Sequence, residues 1–91
     1  MAVYIVSYDL NSPGQDYEAL YDELKRPPAG WIPIMDSTWL IDSAESAQSL
    51  SDRIRQHLDE NDWLFVAEIT TNHQGWLPQV KWDWVDTAFG R

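Results

Sequence analysis

Twice along this chain the hydrophobic period changes from two residues to 3.6, and each change falls at a helix-start signal. Residues 2–8 (AVYIVSY) alternate Val3, Ile5 and Ser7 with Tyr4, Val6 and Tyr8. Both sets are mostly apolar, as in a central strand covered on both sides. Ser12-Pro13-Gly14-Gln15 then reads as a helix start, with Ser12 as N-cap, Pro13 in the first helical position and Gln15 completing a capping box. Asp16 and Glu18 fall in the first turn, where the helix dipole favours anions. Tyr17, Leu20, Tyr21 and Leu24 form one apolar stripe, Lys25 and Arg26 close the last turn, and Pro27-Pro28 stops a helix predicted over 13–26.

A second strand is expected over 31–35, at an edge or beside a bulge because Pro33 lacks a ladder donor. Asp36-Ser37 turns the chain into a third strand over 38–42. Asp42-Ser43-Ala44-Glu45 repeats the cap-box spacing, and Ala47, Leu50, Ile54 and Leu58 stripe a second helix over 44–58. A polar connection, Asp59 to Asp62, leads to a fourth strand over 63–70. In the tail, 76–91, Val80, Trp82 and Trp84 alternate like a fifth strand, whereas Pro78 followed by Val80, Trp84 and Val85 fits a short helix, which we favour.

Strand, helix, strand, strand, helix, strand is the split βαβ order of an α+β, ferredoxin-like sandwich. A single domain over 1–91 is expected, with two helices on one face of a four-stranded antiparallel sheet and strands one and three central. The other face then needs a cover, from either the tail or a partner protomer. Six Trp among 91 residues sharpen that need, since a chain this short has little volume in which to hide them. A homodimer is therefore expected.

The charge sum is −9, from 6 Lys and Arg against 15 Asp and Glu. Binding phosphates needs basic residues at the contact, so direct nucleic-acid binding is not expected. There is no Cys, which excludes disulfides, a Cys-based zinc site and a cysteine nucleophile. No apolar run reaches the roughly 18–20 residues of a membrane helix, and no basic-then-apolar leader opens the chain, so the expected location is cytoplasmic.

Tyr8-Asp9-Leu10-Asn11, followed by Pro13-Gly14-Gln15-Asp16-Tyr17 and Leu20-Tyr21, resembles the small bacterial SinR-like proteins. Those are similar, distantly, to CRISPR-associated protein two and to the virulence-associated VapD toxins. Asp36-Ser37-Thr38-Trp39, Asn61-Asp62 and Gly75-Trp76-Leu77-Pro78 extend the resemblance over most of the chain. It implies a ferredoxin-like homodimer in which the acidic residue ending strand one faces its twin and helps hold a divalent metal for phosphodiester hydrolysis. Only Asp9 matches that position, so Asp9 is the candidate catalytic and metal-binding residue, with magnesium or manganese as the implied cation. This chain departs from the nuclease pattern just after it: Ser12, Gln15, Asp16 and Glu18 stand where basic residues are usual.

The remaining candidates weigh toward structure. Asp9 itself also reads as a strand-end Asp that caps its loop, and Asn11 as a turn residue. Ser7 and Ser37 could lie near Asp9, but no Ser–His–Asp pattern supports a nucleophile. His57 and His73 lack metal-pair spacing and read as surface residues, and Asp59 to Asp62 lacks the pattern of a calcium loop. The six Trp suit core and interface better than base stacking, which needs a positive groove. Three functions follow: a catalytically silent or weak scaffold in a defence or mobile-element context, a metal-dependent ribonuclease or deoxyribonuclease using Asp9 from both protomers, and an acidic inhibitor or nucleic-acid mimic that occupies a basic site on another protein.

Overall fold

The first strand, β1 (Ala2–Asp9), runs through the middle of the sheet and carries a core on each side. The computed structural model describes residues 2–12, 14 and 16–90. The elements that follow are α1 (Glu18–Leu24), β2 (Gly30–Met35), β3 (Thr38–Ser43), α2 (Ala47–Arg55), β4 (Trp63–Ile69) and α3 (Gln79–Ala88). The strand order is β2-β3-β1-β4, and every neighbouring pair is antiparallel. With β1 and β3 central and two helices packed together on one face, the fold is ferredoxin-like.

The alternation along β1 sorts its side chains as their chemistry requires. Tyr4, Val6 and Tyr8 join Leu20 and Leu24 of α1, Leu50 and Ile54 of α2, and Trp39 and Ile41 of β3 in the main core. Val3 faces the other way, where it packs with Ile34, Leu40 and Val85. Val85 belongs to α3, so the tail is a helix and covers part of the second sheet face. Pro33 lies on the edge strand β2, and the register shifts between Pro33 and Met35, as its missing donor requires.

Both helices start later than the sequence suggests. α1 begins at Glu18, preceded by Tyr17, which makes no side-chain cap. Ser12 is not its N-cap but lies against Tyr17 and Asp62, and the Pro13 and Gln15 expectations fall outside the described residues. The Tyr17 hydroxyl donates to Asp62, with oxygen separations of 2.9 and 3.0 Å. This long-range tie fixes Tyr17, the residue that precedes α1. For α2 the cap is Ser46, whose hydroxyl accepts the Ser49 N–H at 3.1 Å. Ser43 ends β3 instead and accepts the Glu45 N–H at 3.1 Å, a local turn that competes with helix. Beyond Arg55, His57 and Leu58 continue in tight turns, donating to the carbonyls of Ile54 and Arg55.

Candidate functional site

Asp9 is the last residue of β1 and is exposed, opposite Trp63 of β4. The two-residue period puts it on the same face as Ser7, whose partner across the sheet is Phe65. This is the α3 side of the sheet, but α3 packs farther along, and Trp63 and Phe65 remain 69% and 67% exposed. A shallow cleft of about 240 Å³ is lined by Ser7, Tyr8, Asp9, Trp63, Leu64 and Phe65. Ser7 shares a hydrogen bond with the Thr38 hydroxyl at 3.1 Å, and its own hydroxyl reaches the Ser37 carbonyl at 3.5 Å. Of the two serines expected near Asp9, Ser7 lines its cleft and Ser37 does not; the contact between them secures the β2–β3 turn, whose Ser37 carbonyl also accepts the Tyr8 N–H at 3.0 Å.

Magnesium and manganese need several hard oxygen donors. Asp9 shares its cleft with Ser7, Tyr8, Trp63, Leu64 and Phe65, and no second carboxylate lines it. Among the described residues no group of three or more His, Cys, Asp or Glu side chains gathers to hold a metal. Within one protomer these residues therefore do not make a divalent-metal site.

The loop after Asp9 is held by Asp62, which ends the polar connection before β4. Asp62 is buried and accepts from the Asn11 N–H at 2.7 Å, the Asp59 N–H at 2.8 Å and the Tyr17 hydroxyl. Burial works to raise its pKa, but the donors from Asn11, Asp59 and Tyr17 outweigh it and hold the carboxyl below the usual carboxylate range. Asn11 adds side-chain bonds to the Asp9 carbonyl at 3.4 Å and the Asn61 carbonyl at 3.1 Å, the turn role expected of it. The signal for Asp62 in the sequence is faint: an Asp directly before a strand, among other acids that stay exposed.

The basic residues are scattered, and most are engaged by the protein itself. Arg53 bridges Glu23 of α1 and Glu45 at the approach to α2, bonding Glu23 closely and Glu45 at 2.6 Å. Arg26 pairs with Glu23 at 3.2 Å. Lys25 lies 5.3 Å above the Trp31 ring, and the Lys81 ammonium donates to the Ile34 carbonyl at 3.1 Å. Arg55 is exposed on α2. Burial pushes Glu23 upward, yet hydrogen bonds from Arg53, His57 and Arg26 overcome it and lower its pKa to about 2. For Glu45 the Arg53 hydrogen bonds dominate and likewise hold its pKa below the usual range.

Neither histidine is a plain surface residue. His57 Nε2 lies 3.0 Å from Glu23, and His73 stacks on Phe89 with centroids 5.2 Å apart while its Nδ1 meets the Thr70 carbonyl at 2.7 Å. They are on separate sides of the fold and do not converge on Asp9.

The class this geometry defines is an α+β, ferredoxin-like domain with an added C-terminal helix. No model of a known protein family matches the chain, and no solved structure matches it.

Proposed function

We propose that this chain is an acidic, homodimeric scaffold related to the SinR-like proteins, working in a bacterial defence or mobile-element context and cleaving nucleic acid weakly or not at all. The observation that carries this reading is the disposition of its cations. Lys25, Arg26, Arg53 and Lys81 are engaged by Trp31, Glu23, Glu45 and the Ile34 carbonyl rather than aligned along a groove. A phosphate backbone is held by Lys and Arg gathered at the contact. The aromatic surroundings of Asp9 support the same reading.

Two measurements test it. Light scattering should return twice the 10.6 kDa chain mass. Incubation with RNA or DNA plus magnesium or manganese should give no specific cleavage by either the natural chain or Asp9→Asn. Metal-dependent cleavage that vanishes in Asp9→Asn would establish the nuclease reading instead.

A further inference from the structure

The two edges of the sheet are not equivalent. β2 carries Pro33 and a register shift, both of which discourage another strand from pairing there. β4 is the opposite edge, a seven-residue strand, WLFVAEI, without Pro or Lys. One side of β4 pairs with β1, and among the described residues no strand pairs with the other. Beside that open ladder stand Trp63 and Phe65, more than two thirds exposed. We propose that a second copy of this chain docks on β4, antiparallel and centred on Val66, to form one continuous eight-stranded sheet. The proposal rests on the homodimer reading above and names its surface.

Three observations favour a second copy as the occupant. An antiparallel edge is self-complementary about a two-fold axis. Centring on Val66 keeps all seven residues paired and sets large against small, with Phe65 beside Ala67 of the partner subunit and Trp63 beside Ile69 of the partner subunit. The charge is also favourable. In a chain of net charge −9, β4 carries only Glu68, and this register keeps the two Glu68 side chains well apart along the ladder. Third, the exposed rings of Trp63 and Phe65 stand beside the open ladder, and the side chains of a paired strand would cover their flanks.

The arrangement has a consequence for Asp9. Strand spacings place the two Asp9 positions roughly 25 Å apart, on opposite ends of the joined sheet. An edge dimer therefore cannot assemble one metal site from both carboxylates.

The chain has no cysteine, so a single one can be introduced and spin-labelled cleanly. In the full chain, Asp9→Cys carrying a spin label should report an interprotomer distance above about 20 Å. Phe65→Lys, at an exposed position, should leave the circular dichroism spectrum unchanged and weaken dimerisation at least tenfold, because an edge lysine opposes strand pairing. Labels closer than about 15 Å would overturn the proposal while leaving the homodimer, since they require the sheet faces, not the edges, to meet. A dimer that Phe65→Lys leaves at full strength also overturns it. A chain that scatters as a monomer at all micromolar concentrations removes both the proposal and the homodimer.

Discussion

The buried pair Tyr8 and Trp39 shows how individual side chains settle this core. The Trp39 indole donates to the Tyr8 hydroxyl at 3.0 Å, with both residues almost fully buried. Burial raises the Tyr8 pKa over the opposing effect of that bond, so the hydroxyl stays protonated and neutral. Tyr8→Phe leaves the indole N–H without its acceptor and should cost about 1–3 kcal/mol, read from urea midpoints. A cost near zero would mean that the indole finds another acceptor. The Glu23–Arg53–Glu45 cluster sets an acid dependence. Both carboxyls have lowered pKa values in the fold, that of Glu23 about 2 against an ordinary 4.5. Their contribution is therefore complete above the ordinary carboxylate range and is lost as pH falls from about 4.5 through 2. Arg53→Met should flatten that acid limb in thermal melts taken between pH 6 and 2; an unchanged limb would show that other carboxylates control it. Asp9 as the end of a strand was readable from its neighbours. Asp62 was not, because its three donors come from residues 3 to 51 positions away and only folding brings them together.

Among the elements, α2 and α3 carry the clearest expectations. Ser46, not the residues at 42–45, caps α2, so Ser46→Ala should cost about 1 kcal/mol. Equal losses from Ser46→Ala and Ser43→Gly would point to a cap shared between the two sites. Val85 anchors α3 on Val3, Ile34 and Leu40 at 2% exposure, and Val85→Ala should cost about 2 kcal/mol. Hydrogen exchange in that variant should rise first in α3 and β2; uniform acceleration would mean that α3 unfolds only with the whole domain. Element type followed the change of period faithfully, because burial on a sheet and on a helix demand different spacings. The ends of the elements did not. Helix starts depend on which of several Ser, Asp and Asn side chains wins the local donors, as Ser46 does at α2. The spacing of the tail fits a strand and a helix alike. Gly90, at φ 76°, follows α3 and donates its N–H to the Thr87 carbonyl, a glycine stop signal that favours the helix.

At the scale of the whole molecule, charge is the controlling quantity. A dimer would carry twice −9, and the cations that could offset it locally are mostly engaged within the protomer. Gel-shift assays at physiological salt should therefore find no DNA or RNA binding. Tight binding that falls steeply with added salt would contradict this and revive the nuclease reading.

Sequence alone determined the fold class and the central place of the first and third strands, because alternation, stripes and turn residues are local and the sandwich is their compact solution. It also determined the acid excess and the position of Asp9 at a strand end. Only the tertiary structure decided what surrounds these residues. It gave part of the second face of the sheet to α3, surrounded Asp9 with aromatic side chains instead of carboxylates, made Asp62 the anchor of the neighbouring loop, and left β4 as the open edge. Each of these outcomes depends on residues far apart in the chain meeting at one place, and no local pattern encodes such a meeting.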